Sequence, residues 1–184
     1  MARFNTEAIV LKKINYQDAD RIYTLLSKDR GKISAVAKGV RKISSRRSGN
    51  LDTLNYITVS LSEDARGYKT IQEVKLTESY KHIKADLKKS LAGYYMIELV
   101  NKSVEEDADA HKVFDLLRDM LGKLNEDGAN ISFFVNKFEV LLMKNLGYEI
   151  SLEKLRSFGR AELNAKIKKH VRESLDTDFK SLSI

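Results

Sequence analysis

Apolar and polar positions alternate with a period of two over the first 76 residues, and with a helical period after that. Residues 6–14 form an apolar run with Ile9 and Leu11 on one face and Ala8 and Val10 on the other. Both faces read as covered, as in a small closed barrel. Tyr16 to Asp20 is a polar turn, and Arg21 to Ser27 is a second strand with Ile22, Thr24 and Leu26 in register. Asp29-Arg30-Gly31 signals a hairpin, since Asp and Gly tolerate the positive φ of tight turns. The third strand sets Ile33, Ala35 and Ala37 against Ser34, Val36 and Lys38, then dissolves at Gly39. Leu54 to Ser62 alternates cleanly, Glu63 to Gly67 turns, and Tyr68 to Leu76 closes the set. Ile71 and Val74 are out of phase, which predicts a bulge between them. Five strands with a long excursion after the third fit an OB-fold barrel, and an SH3-like barrel would give the same string.

From Thr77 the period is that of a helix. Lys84 to Val104 carries a stripe of Leu87, Leu91, Tyr94, Tyr95 and Leu99. Gly93 within it costs about 1 kcal/mol relative to Ala, which close packing against a neighbour would justify. Ala108 to Leu124 and Ile131 to Leu146 follow, the second with Gly147 as its C′ residue. Ser151 could cap a short turn through Phe158, and a last helix spans 160–175. The expected class is α+β: a five-stranded barrel in residues 1–77, then an all-helical bundle in 78–184, with no linker between them.

Charge sharpens this division. Residues 1–76 hold 15 Lys/Arg against 8 Asp/Glu, whereas residues 77–184 hold 18 of each. The net charge of +7 therefore belongs entirely to the strand-rich part. Seven Lys/Arg and no acid lie between Arg30 and Asn50. Lys38, Arg41, Lys42, Arg46 and Arg47 there, on a strand end and a Gly/Ser loop, suit a phosphate backbone. The same run also fits a solvated loop. Tyr16, Tyr56 and Tyr68 are candidates for base stacking if exposed and for packing if not. Lys154, Arg156, Arg160, Lys166, Lys168, Lys169 and Arg172 form a second basic stretch.

Cysteine is absent, which rules out disulfides, thiolate nucleophiles and Cys-based zinc sites. His82, His111 and His170 have no metal-ligand spacing, so neither a metal nor a cofactor is expected. No phosphate-cradling glycine loop and no Gly-x-Ser-x-Gly turn occurs, and Glu105-Glu106-Asp107 reads as a solvated acidic loop. A binding protein is expected, not an enzyme. Apolar runs are too short to span a membrane, and the first residues carry no apolar signal segment, so a cytoplasmic protein is expected.

Thr6-Glu7-Ala8-Ile9-Val10-Leu11, Tyr16, Asp20, Gly31-Lys32-Ile33 and Ala37-Lys38-Gly39-Val40-Arg41 resemble the amino-terminal domain of the RecO family of recombination mediators. Glu98-Leu99, Phe138-Glu139 and Leu146-Gly147-Tyr148 follow in that family's order, and Lys180-Ser181-Leu182 is similar to its closing segment. The resemblance favours the OB-fold over the SH3-like alternative. It implies a DNA repair protein, associated with the nucleoid, that binds single- and double-stranded DNA and anneals complementary strands. It also implies contact with the acidic C-terminal tail of single-strand binding protein and cooperation with RecR in loading recombinase. Lys137, before Phe138-Glu139, matches a basic residue of the family placed to receive a tail carboxylate. Many members insert a module after Leu-Gly-Tyr that often holds Cys, in some a zinc site. Only about a dozen residues without Cys follow Tyr148 before the last helix, so a shortened form lacking that module is expected. The alternative is an adaptor whose barrel docks an acidic protein or ribosomal RNA without annealing.

Overall fold

The computed structural model describes residues 2–42, 45, 47–148 and 160–175, with the side chains of residues 160 and 161 outside that description. Five strands, β1 (Ala2–Tyr16), β2 (Asp20–Ser27), β3 (Gly31–Ala37), β4 (Tyr56–Glu63) and β5 (Lys69–Glu78), close a barrel in the order β1-β2-β3-β5-β4. All neighbours are antiparallel except β3 and β5, whose parallel contact is confined to Ala35 opposite Lys69 and Val36 opposite Thr70. This is the OB arrangement. The expected bulge is present: Leu61 faces Ile71 and Ser60 faces Glu73, leaving Gln72 over.

The long β1 serves two partners, its first half pairing with β4 and its second with β2. It begins four residues earlier than the alternation predicts, because Ala2, Arg3 and Asn5 are exposed and leave no apolar period. Ala8 and Val10 point into the barrel with Tyr23, Leu25 and Ile57. Ile9, Leu11 and Leu26 point outward into a second core shared with the helices. Each such Ile or Leu contributes about 1.5–3 kcal/mol by leaving water. Both faces of β1 are thus covered, as its continuous apolar run requires.

The helices are α1 (Lys81–Ala85), α2 (Leu87–Ser103), α3 (His111–Asn125), α4 (Ile131–Asn145) and α5 (Arg160–Leu175). The single helix expected from Lys84 is two. Extended Asp86 breaks the chain, and its carboxylate accepts from the Lys89 N–H at 2.9 Å as the cap of α2. The expected α2 stripe is also rotated. Leu87 is 75% exposed and Tyr94 is about half exposed, while Ala92, Tyr95, Met96, Leu99 and Val100 are buried. Because α2 packs against the barrel on one side and α3 and α4 on the other, its buried surface is wider than one stripe. A Cβ on Gly93 would lie 3.2 Å from Ile83 and 3.3 Å from Leu54, the close packing its presence implied.

Gly147 is the C′ residue of α4, with φ +86°, its N–H bonded to Lys144 and the Tyr148 N–H to Met143. Helix α3 starts at His111, later than expected, because the acidic loop before it docks on β3: Asp107 N–H donates to the Lys32 carbonyl at 2.9 Å. Gly31 permits this approach. Its φ is +62°, and a Cβ there would fall 1.8 Å from the Ala108 carbonyl oxygen. The Ser151–Phe158 turn lies outside the described residues.

Candidate nucleic-acid interface

The chain between β3 and β4 is anchored at both ends by apolar residues, Val40 and Leu51, which are fully buried in the barrel core. Between them the basic residues have different surroundings. Lys38 and Lys42 are exposed and have no ion-pair partner among the described residues. The Lys42 stem lies over Gly39, whose added Cβ would be 3.7 Å from it. Arg41 is exposed but tethered to the β1–β2 turn: its Nη1 donates to the carbonyls of Gln17 (3.2 Å) and Asp18 (3.1 Å), and its N–H to Ala19 (2.9 Å). The Asp20 carboxylate accepts the Gly39 N–H at 2.7 Å, which fixes the start of the loop against the same turn.

Arg47 departs from the expectation of a solvated loop. It is half-buried, and its guanidinium spans the seam where β3 and β5 part. Nη2 donates to the Lys38 carbonyl at 2.7 Å, and Nη1 to Ile71 at 3.1 Å and Gln72 at 3.4 Å. A fork of donors on a planar cation can meet carbonyls of two strands at once, which a lysine cannot. Hydrogen bonds from a charged donor are each worth about 1.5–3 kcal/mol. Arg46 lies outside the described residues.

Several other cations of the barrel are engaged. Lys13 pairs with Asp52 at 2.6 Å, Lys28 with Glu7 at 2.6 Å, and Arg30 with Glu63 at 2.9 Å while stacked 3.8 Å over Phe4. Lys28 holds the Glu7 carboxyl below its ordinary range, with the Tyr56 hydroxyl assisting at 2.5 Å. Of the tyrosines, Tyr56 is packed at the barrel–helix junction, edge-on to Phe114 at 6.1 Å. Tyr16, 43% exposed, and Tyr68, 70% exposed, present their rings to solvent. Tyr16 adjoins the turn that tethers Arg41.

In the helical part Lys137 is exposed on α4, with Nζ 5.9 Å from the centre of the exposed Phe133 ring. A groove of about 310 Å³ opens nearby between α2, α4 and α5, walled by Leu91, Ile131 and Val135 and flanked by Lys88 and Lys168. Sequence reasoning counted Lys168 only as part of a charge run and passed over Lys88, because the groove joins helices remote in sequence. It named Glu139 only within the family match with Phe138 and not as a buried acid. This side chain is fully buried, with one oxygen accepting from the Tyr95 hydroxyl at 2.5 Å and the other unpartnered among the described residues. Burial raises its carboxyl to about 7, against the opposing pull of Tyr95 and Lys168.

Comparison with known families decides the lineage. The profile described as "Recombination protein O N terminal" matches residues 1–80, and "Recombination protein O C terminal" matches residues 84–174. The chain belongs to the recombination protein O family. Curated proteins named "DNA repair protein RecO" are similar to it. That of Dehalococcoides mccartyi is 34% identical over 81% of this chain and 58% of its own length. Those of Roseiflexus and Thermoanaerobacter are 30% and 31% identical, over 85% and 88% of this chain and 54% and 65% of their own lengths. The chain thus spans a little over half to about two thirds of the relatives it matches.

Within this family frame the second basic stretch is partly neutralised. Lys166 lies 3.8 Å from Glu162 and Lys169 3.7 Å from Glu173, each one helical turn away on α5. Lys154 and Arg156 lie outside the described residues. Among the described residues no three His, Asp or Glu converge as a metal would need, and no helix is long and apolar enough to cross a membrane.

Proposed function

We propose that the chain is a DNA-binding mediator of DNA repair and recombination that works by binding and not by catalysis. Residues 1–77 act as its nucleic-acid-binding unit and residues 78–184 as its protein-binding unit. The observation that carries this reading is the pair of exposed, acid-free cations Lys38 and Lys42, held beside tethered Arg41 on a loop anchored in the barrel core. Fixed cations of this kind neutralise phosphates and release counterions whatever the base sequence. They suit single strands and duplex alike, and by screening two strands at once they favour annealing. Arg46, in the same run, adds to the charge. Tyr16, exposed at the adjoining hairpin, offers a ring on which an unpaired base can stack.

The α2–α4–α5 groove supports a second role. Its apolar walls and flanking cations Lys88 and Lys168, with Lys137 exposed outside it on the same α4, suit an acidic peptide with an apolar end, and the tail of single-strand binding protein has that chemistry. Cooperation with RecR in loading recombinase fits the family. The test is annealing of complementary labelled oligonucleotides, bare and coated with single-strand binding protein. Faster annealing than the spontaneous rate on both supports the reading. Binding of a partner protein or RNA with no effect on annealing favours an adaptor instead.

A further inference from the structure

We infer that Arg47 is a positioning residue for nucleic-acid binding: it contacts no phosphate, and instead latches the basic loop across the open seam of the barrel so that Lys38 and Lys42 stand where a backbone can meet them. The inference rests on the proposed DNA-binding role of that loop. Its warrant is geometric. Parallel pairing of β3 and β5 ends after two residue pairs, at Val36 and Thr70. Beyond that point the carbonyls of Ile71, Gln72 and Val74 on β5 have no β3 strand beside them. Side chains of the loop take the place of the missing strand. Arg47 bonds to Ile71 and Gln72, and Asn50 Nδ2 approaches Val74 at 3.5 Å. The third Arg47 bond, 2.7 Å to the Lys38 carbonyl, ties the residue that carries one exposed cation to the β5 side of the seam.

The backbone of Arg47 extends the device. Its carbonyl accepts the Leu51 N–H at 3.1 Å, and Leu51 is buried in the barrel core. One residue therefore joins the end of β3, the edge of β5 and the return of the loop into the core. A guanidinium that gives three of its five N–H donors to carbonyls is held at the seam with two left, whereas the ammonium groups of Lys38 and Lys42 have no hydrogen-bond partner among the described residues.

Salt dependence separates positioning from contact. A residue that touches one phosphate takes about 0.7 to 0.9 from the log–log salt slope when removed. A residue that positions two contacts takes about twice that, and further removal of Lys38 and Lys42 then changes little. The full chain carrying Arg47→Ala, Arg47→Lys, Lys38→Ala with Lys42→Ala, and the triple change would be titrated with a labelled 30-nucleotide single strand and the matching duplex. The expected result is that R47A and R47K both lose about 1.4 to 1.8 units of slope, and that the triple variant matches the double. A lysine preserves charge but cannot span the carbonyls, so R47K does not rescue. Amide exchange provides the second reading and serves if R47A does not fold: in R47K the Arg41 and Leu51 amides should lose protection. If R47K keeps the wild-type slope and protection, or R47A costs one contact and adds to the double variant, Arg47 is a phosphate ligand and the inference is overturned. If the Lys38/Lys42 double variant itself binds as wild type does, the DNA-binding reading of the loop fails first and takes the inference with it.

Discussion

Two stretches of this chain look alike as lists of cations and differ as structures. The loop from Lys38 to Asn50 and the helix α5 each carry closely spaced Lys and Arg. On α5, Lys166 and Lys169 have carboxylates one turn away, as an exposed helix commonly arranges them. In the loop no acid is present, and its two described arginines bond to backbone carbonyls, Arg41 to the β1–β2 turn and Arg47 to the β3–β5 seam. Carbonyl partners hold a guanidinium in place without cancelling its charge, whereas carboxylate partners cancel it. Positive charge is therefore denser at the loop, with five Lys/Arg and no acid, than on the helix, with five Lys/Arg and two Glu, although a count of Lys and Arg alone would rank the two together.

The largest effect expected from this contrast is on stability. Arg47→Ala should lower the free energy of unfolding by roughly 2–4 kcal/mol, because three bonds from a charged donor are lost at a partly covered seam. Lys169→Ala on α5 should leave the urea midpoint within error of wild type. Equal midpoints for the two variants would erase the distinction between latch and surface charge.

A second effect, of nearly that size, comes from the buried carboxyl beneath the helical groove. Glu139 is raised to about 7 in the fold from an ordinary value near 4.5, so the native state binds the extra proton between these limits. Its contribution to stability is therefore fully present below about pH 4.5 and is lost as pH rises from there through 7, by about 3 kcal/mol when fully ionised. Glu139→Gln should remove most of that slope between pH 5 and 8. A thermal midpoint with the same pH dependence in both forms would show that Glu139 is ionised in its site.

A smaller effect concerns the peptide role. Lys137→Glu should weaken an acidic, apolar-ended peptide by about tenfold through loss of one charge contact and gain of a repulsion, with little change in naked-DNA affinity. Unchanged peptide affinity would move the site away from the exposed edge of α4 and leave Lys88 and Lys168 as the cations to test.

How much of this could be read from sequence depended on whether one segment alone carried the signal. The alternation of Ile57, Val59 and Leu61 and the phase slip between Ile71 and Val74 predict β4 and the bulge in β5, because each is a local period. The α2 stripe misled, since Leu87 and Tyr94 are apolar yet exposed and the buried surface wraps around two faces. Glu105 to Asp107 read as solvated acid, but the loop docks through its backbone on Lys32, and Gly31 makes room for it. Lys38, Arg41, Lys42 and Arg47 were legible as a basic run, while their different duties were not. The seam that Arg47 bridges is formed by β5, 24 residues further along.

The central claim is that positive charge available to DNA resides at the loop and not at the acid-paired cations of α5. Salt titration of oligonucleotide binding by two variants tests it most directly: Lys38→Ala with Lys42→Ala, and Lys166→Ala with Lys169→Ala. The loop variant should lose about 1.4 to 1.8 units of log–log salt slope for single strand and duplex alike, and the helix variant less than half a unit. The opposite ranking, with the helix variant losing the larger slope, would contradict the account.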